Sequence, residues 1–221
     1  MDNSIKRRIA TSKLFRNLDW EEANQIFEMN IGSIREYSKG EIIISPEEPF
    51  NYLGVILSGE MDVLRVFESG EQYQVHLLKA GNLIGIDTIT KGNDVNLFFH
   101  IAKTETKIYL LPVGSVLKPG RIPDTTRQKL TEGILGILVH ENFRQHQKVD
   151  VLSVNNLRER IYRYLSYQQF KRRTSSFEVP YNREQMADYL CVNRSALSRE
   201  LSKMEKDGII RYNRNRFEIL K

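Results

Sequence analysis

One cysteine, Cys191, is all that the 221 residues contain. An internal disulfide is therefore excluded, as is an iron–sulfur cluster held by one chain, and a reducing cytoplasm is the compartment that fits. Histidine is scarce as well. The chain has four, at 76, 100, 140 and 146, and no His-x-His pair. A metal enzyme on a cupin-type barrel would want such a pair together with a carboxylate and a third histidine. His140 and His146 are six residues apart and would not share a helix face. His76 reads as an ordinary strand histidine rather than a haem ligand. Long apolar runs are missing too. The longest, around Gly133 to Val139, falls far short of the roughly 20 residues that a membrane-spanning helix needs. The basic start Lys6-Arg7-Arg8 is not followed by an apolar core, so no signal peptide is expected. Neither internal repeats nor low-complexity segments occur.

What is present is ordinary in amount and uneven in placement. Hydrophobic residues make up 40% and charged residues 28%, the balance of one or two soluble domains. The net charge is +5, but residues 148–221 carry 16 Lys and Arg against 9 Asp and Glu, leaving the rest slightly acidic. A basic C-terminal third suggests an end that faces nucleic acid.

Within that third, residues 182–204 read as two short helices joined by a tight turn. Pro180 stops the preceding segment, Asn182 and Gln185 can form a capping box, and Asn193 is the next N-cap. Gly208 is placed to end the second helix in a left-handed C-cap. The second helix has two faces. Leu197, Leu201 and Met204 form an apolar stripe that must be buried. Ser195, Ser198, Arg199 and Ser202 lie opposite, with Arg194 on the flank. Small hydroxyls and arginines permit close approach to a polyanion, and arginine can take guanine O6 and N7 with two bonds. By itself the pattern also fits a helical hairpin with a solvated face. The continuation Ile209-Ile210-Arg211-Tyr212-Asn213-Arg214-Asn215-Arg216-Phe217 reads as strand, turn and strand carrying Arg211, Arg214 and Arg216. A helix-turn-helix followed by a basic hairpin is a winged helix, and that favours DNA.

Upstream, residues 4–31 read as short helices, with Asp19 capping the one that begins at Trp20. From about Ile31 to Leu111 short β-branched and aromatic runs, at 41–44, 52–57, 61–67, 73–78, 97–101 and 107–111, alternate with Gly, Asn and Pro. This spacing predicts a sandwich or barrel with a hairpin tip at Gly70. A long helix follows Pro123, with Thr125 and Gln128 as a candidate capping box. Leu130, Ile134, Ile137 and Leu138 line one side of it; Leu135, Val139 and Phe143 line another. Two apolar sides need two partners, the barrel and a second copy of the helix. The Leu130-Ile134-Ile137 spacing, with Glu141 next, suits a short coiled-coil seam. Residues 148–152 are the expected hinge, with Ser153 capping the next helix, Val154 to Phe170.

In this order of parts the chain resembles the CRP/FNR superfamily of bacterial transcription regulators. The best local carriers are Leu57-Ser58-Gly59-Glu60-Met61, Gly81-Asn82-Leu83-Ile84-Gly85 and Arg183 through Met204. The resemblance implies an α+β fold: an N-terminal β jelly-roll (double-stranded β-helix) barrel with N-terminal helices over 1–122, a long dimerisation helix and hinge over 123–148, and a winged helix-turn-helix over 149–221. It implies a cytoplasmic homodimer that binds double-stranded DNA and is not an enzyme, with RNA polymerase and a small-molecule effector as further partners. The family's DNA-reading positions fall on Arg194, Ser195 and Arg199. Many members carry Glu where this chain has Ser195, so a different base preference is expected. Asn193 and Ser198 are further candidate DNA-binding residues, and Arg183, Arg211, Arg214 and Arg216 are candidate phosphate contacts.

The resemblance also implies an effector pocket between barrel and long helix, and here the chain departs from the members that bind cyclic nucleotides. Those follow the glycine with a ribose-holding glutamate and clamp the phosphate with arginine and a hydroxyl. Here Gly85 is followed by Ile86 and Asp87, and the clamp positions fall near Asn96 and Leu97. Apolar side chains there would leave a phosphate without a cation, which is costly to bury. Cyclic AMP is therefore not the expected effector, and no cofactor is expected. Ile86, Asp87, Asn96, Leu97, Phe98 and Leu135 are the candidate pocket residues, suited to an apolar effector or a filled pocket. The alternatives are a cupin-like barrel enzyme with a helical tail and a constitutive DNA-binding protein with no effector.

Overall fold

The structure is a computed structural model that describes residues 1–46, 48–86 and 97–220. It divides into two compact units, Met1–Val139 and His140–Lys221.

The first unit begins with two helices, α1 (Asn3–Ala10) and α2 (Trp20–Glu28). Asp19 caps α2 as expected, in a reciprocal capping box with Glu22. Eight strands follow: β1 (Ser33–Tyr37), β2 (Ile42–Ile44), β3 (Tyr52–Ser58), β4 (Glu60–Val66), β5 (Gln72–Lys79), β6 (Leu83–Ile84), β7 (Phe98–Ala102) and β8 (Thr106–Pro112). They form two antiparallel four-stranded sheets, ordered β1-β8-β3-β6 and β2-β7-β4-β5. This is the anticipated jelly roll. The six strand runs read from the sequence each become a strand, shifted by a residue or so at the ends. β1 and the two-residue β6 were not singled out, since neither carries a strong apolar alternation.

Strand β3 shows how the layers are made. Successive side chains of a strand point to opposite faces, and both of its faces are covered. Leu53, Val55 and Leu57 join the core made with the helices, and Ile56 joins the core enclosed by the two sheets. β8 divides its side chains the same way, Tyr109 and Leu111 to one core, Ile108 and Leu110 to the other. At two left-handed positions a close approach to backbone requires glycine. A Cβ on Gly85 (φ +85°) would lie 2.0 Å from the Tyr52 carbonyl oxygen, and one on Gly59 (φ +90°) 2.4 Å from that of Glu105. Gly70 (φ +82°) turns the β4–β5 hairpin at the expected place.

After a short helix, α3 (Val113–Leu117), comes α4 (Asp124–Leu152). It starts from Pro123, whose carbonyl accepts from the Arg127 amide. Gln128 does not make the anticipated capping box with Thr125; its amide bonds Glu132 at 2.9 Å. Leu130 and Ile134 are buried in the helix-side core of the first unit. They leave no surface for a second chain, so the seam expected from Leu130, Ile134, Ile137 and Glu141 is not the outward face of this helix. Ile137 is half-buried and Glu141 is exposed, bonding Arg144 and Gln145. The exposed apolar residues of the helix include Leu135, Leu138, Val139 and Phe143, at 60, 44, 61 and 58%.

Residues 148–152, expected as a hinge, lie inside α4. Val151 is fully buried in the core of the second unit. The next helix, α5 (Leu157–Arg172), starts from Asn156 rather than Ser153, with the Asn156 side chain accepting from the Arg158 amide. The remaining elements are β9 (Ser176–Glu178), α6 (Arg183–Tyr189), α7 (Arg194–Lys206), β10 (Ile210–Asn213) and β11 (Arg216–Ile219). The three strands form a sheet ordered β10-β11-β9. Helices α5, α6 and α7 and this sheet share one core, in which Ile161, Leu165, Met186, Leu190, Leu197, Leu201, Met204 and Phe217 are essentially inaccessible. This is the anticipated winged helix-turn-helix.

Candidate nucleic-acid interface

The interface is organised by how α6 and α7 start and stop. Asn182 caps α6 in a capping box with Gln185, and Asn193 caps α7 by accepting from the Ala196 amide at 2.7 Å. Both helices end the same way. The Gly208 amide bonds the Glu205 carbonyl and the Ile209 amide that of Met204, while Gly208 sits at φ +67°. At the end of α6 the Cys191 amide bonds Asp188, the Val192 amide bonds Ala187, and Cys191 sits at φ +55°. Both are Schellman motifs, which place one residue in the left-handed region and favour glycine there. The corner of the helix-turn-helix is thus built on a cysteine held in a conformation that costs a side-chain-bearing residue energy.

The apolar stripe of α7 is fully inward: Leu197, Leu201 and Met204 have no accessible surface. Arg194, Ser195 and Arg199 are exposed and Ser198 is half-exposed. The acidic side chains of α7 and its C-cap are engaged elsewhere. Glu200 and Asp207 both bond Arg158 of α5 at 2.6 Å, and Glu205 accepts from the Tyr212 amide at 3.3 Å. What is left facing outward is polar and cationic. A shallow groove along α7 is lined by Ser198, Arg199, Ser202, Lys203 and Lys206. Lys203 and Lys206 were not singled out from the sequence, although they follow Arg199 at helical spacings of four and seven, which was signal enough.

The sequence-selected residues differ in what they are free to do. Asn193 is committed: its Oδ1 accepts from the Ala196 amide and from the Ser195 hydroxyl, the latter at 2.8 Å. Arg183 is half-buried. Its guanidinium lies 5.0 Å from the ring centres of both Tyr212 and Phe217, and its Nη2 donates to the Arg214 carbonyl at 2.8 Å. Burial lowers its pKa from the ordinary arginine value, yet an arginine remains charged. Such a side chain fastens the wing to the start of α6. Arg214 is exposed at the wing turn, at φ +51°. Arg216 is exposed and donates from Nε to the Ser176 hydroxyl at 2.9 Å. Arg211 pairs with Glu218 across β10 and β11 at 3.2 Å, an exposed pair of little energetic weight. The wing therefore offers Arg214 and Arg216 outward, with Arg211 partly neutralised.

The anticipated effector residues are not gathered into one described site. Ile86 packs at the margin of the helix-side core. Leu97 is 48% and Leu135 60% exposed. Phe98 lies in β7, where the Arg65 guanidinium stacks on it at 6.0 Å. Asp87 and Asn96 lie outside the described residues. Arg65, on β4, went unremarked in the sequence because a lone strand arginine carries no motif. Among the described residues no three His, Cys, Asp or Glu side chains gather as metal ligands would, and no helix is long and apolar enough to cross a membrane.

The comparisons with known proteins follow the same division of the chain. The Cyclic nucleotide-binding domain family matches residues 34–118, and the Crp-like helix-turn-helix domain family matches residues 159–221. Among curated relatives, the Global nitrogen regulator of Synechococcus elongatus is 27% identical over 81 residues, which is 36% of this chain and 36% of that protein. The chain thus matches only about a third of the length of that relative. The Electron transport regulator A of Shewanella oneidensis is 26% identical over 181 residues, 78% of this chain and 68% of that protein. Among solved structures, CprK in complex with OCPA has the same fold, with a TM-score of 0.63 at 17% identity over 89% of this chain and 91% of that one. A nucleotide-binding-type jelly roll carried ahead of a Crp-like helix-turn-helix is the arrangement of one family, and the chain belongs to the CRP/FNR superfamily.

Proposed function

We propose that the protein is a homodimeric, sequence-specific DNA-binding regulator of transcription, acting without catalysis in the cytoplasm and controlled by a small molecule other than cyclic AMP. The observation that carries this reading is the outward face of α7. Its serines and Arg199 stand free of acidic neighbours because Glu200, Glu205 and Asp207 are bound elsewhere. A helix so presented can lie in a major groove, with Arg194, Ser195 and Arg199 toward base edges. Arg214, Arg216, Lys203 and Lys206 supply charge for flanking phosphates, which position but do not specify.

The homodimer is supported by the exposed apolar side of α4, formed by Leu135, Leu138, Val139 and Phe143. A contiguous apolar patch of this kind on a helix favours a second copy. Two reading heads would then engage two half-sites about one helical turn apart. The choice of effector rests on the chain's own residues, since Ile86 and Leu97 offer nothing to a ribose or a phosphate. The relatives' names speak of nitrogen and of electron transport. RNA polymerase is the further partner that transcriptional control implies.

The decisive experiment selects bound sequences from random duplex DNA with the full chain, with and without a metabolite extract or cyclic AMP, and measures mass in solution. Enrichment of a two-fold symmetric site by a dimer, unaffected by cyclic AMP, is the expected result. Enrichment of no sequence under any condition, or tight binding that requires cyclic AMP, would overturn the corresponding part of the proposal.

A further inference from the structure

Three arginines of α5 reach different parts of the reading head. Arg158 holds Glu200 and Asp207 of α7 and its C-cap, each at 2.6 Å. Arg163 donates from Nη1 to both the carbonyl (3.2 Å) and the carboxylate (2.8 Å) of Asp150, and the Tyr167 hydroxyl donates to the same carboxylate at 3.0 Å. Arg160 does something different. Its Nε donates to the Val154 carbonyl at 2.7 Å and its Nη1 to the Leu190 carbonyl at 3.3 Å. Val154 belongs to the loop between α4 and α5. Leu190 is the C-cap of α6 and the first residue of the helix-turn-helix corner.

Two needs meet at that guanidinium. The end of α6 leaves carbonyl groups without intrahelical partners, and the Leu190 oxygen is one that the Arg160 side chain serves. The next residue, Cys191, is held at φ +55°, where a side chain is poorly accommodated and the surroundings must hold the backbone in place. An arginine presents donors in a rigid planar fork, so it can fix two acceptors relative to each other; a lysine is a single point of charge on a flexible stem.

We propose that Arg160 is a positioning residue for sequence reading, tying the loop after α4 to the helix-turn-helix corner so that the presentation of α7 depends on that loop. The inference rests on the reading of α7 as the helix that meets DNA. In this role Arg160 touches neither base nor phosphate. It makes the corner rigid enough for Arg194, Ser195 and Arg199 to meet base edges together, and it gives any displacement of residues 153–156 a direct route to the corner.

The test uses the full chain, a duplex selected from random DNA, an unrelated duplex, and the variants Arg160→Lys and Arg160→Gln. Both variants should bind the selected duplex about tenfold more weakly, the scale of losing one charge-assisted hydrogen bond, with unchanged affinity for the unrelated duplex and an unchanged salt slope. Amide hydrogen exchange at Cys191 and Val192 should quicken in both. Adding Cys191→Gly to Arg160→Lys should recover part of the loss, because glycine holds the corner unaided. Equal weakening on both duplexes with a smaller salt slope would make Arg160 a phosphate contact and overturn the proposal. Unchanged exchange at the corner would overturn it even where binding changes, and that readout needs no DNA. Failure of the unsubstituted protein to prefer any duplex would instead count against the reading of α7.

Discussion

Helices α4 and α7 both carry more than one kind of surface, and they differ in how far a sequence can be trusted to say which surface goes where. In α7 the two faces are chemically opposite. Leu197, Leu201 and Met204 can only go inward and the arginine and serine face only outward, and the structure agrees. In α4 both sides are apolar. Hydrophobicity then says that each side will be covered and is silent about by what. The Leu130-Ile134-Ile137 spacing looked like a coiled-coil seam, yet Leu130 and Ile134 pack into the core of their own unit. The side left open is Leu135, Leu138, Val139 and Phe143. Chemical contrast orients a helix; spacing alone does not.

The sharpest way to break that comparison is to cut each side of α4 separately. Leu130→Ala should destabilise the first unit by about 2–5 kcal/mol, since it opens a cavity in a closed core; denaturant unfolding measures it. Val139→Glu with Phe143→Glu should leave the fold of each unit intact and dissociate the proposed dimer, read by sedimentation. If Leu130→Ala instead gives a stable monomer, the two sides have been exchanged.

On α7, Arg199→Ala should cost about 1–3 kcal/mol of specific binding and relax preference at one base pair. Uniform weakening on all sequences would instead make Arg199 a phosphate contact. The wing separates two kinds of arginine. Arg214→Ala should weaken all duplexes alike and reduce the salt slope by about one unit. Arg183→Lys keeps the charge but loses the guanidinium packed against the stacked rings of Tyr212 and Phe217, so it should lower thermal stability as well as affinity.

The two Schellman corners provide a smaller contrast. Cys191→Gly should raise stability by about 0.5–1 kcal/mol, by relieving the left-handed strain less the added chain entropy. Gly208→Ala should lower it by a similar amount. The smallest effect concerns acid. Lys6 is buried against α2 and bonds Glu28, which holds that carboxyl below its ordinary value. A depressed carboxyl contributes stability above its unfolded pKa and loses it as pH falls through the folded one. The difference between the unsubstituted protein and Glu28→Gln should therefore be present at neutral pH and vanish as the pH drops below about 4. A difference that grows in acid would contradict the sign.

Much of the reading head was legible because its signals are local. The Asn182–Gln185 capping box, the Asn193 cap, Gly208 and the apolar stripe of α7 each act within a few residues, so short-range chemistry fixes them. Local chemistry does not show what Arg183, read as a phosphate contact, packs against. That it is enclosed by rings of the hairpin 29 and 34 positions later depends on how the chain returns. Asn193 is the local counter-example: its cap was legible because its Oδ1 serves Ser195 and Ala196, two and three residues on.

The sequence by itself determined the two kinds of domain, their order, the starts of α2, α6 and α7 and the polar face of α7, because periodicity, caps and turns are written in neighbouring residues. Tertiary structure alone decided which apolar side of α4 stays open, that residues 148–152 continue a helix into the second core rather than form a hinge, and that Arg160 joins two carbonyls 36 positions apart. Those outcomes depend on surfaces that meet only after the chain has folded back on itself, and nothing in the order of residues near them states which surface will arrive.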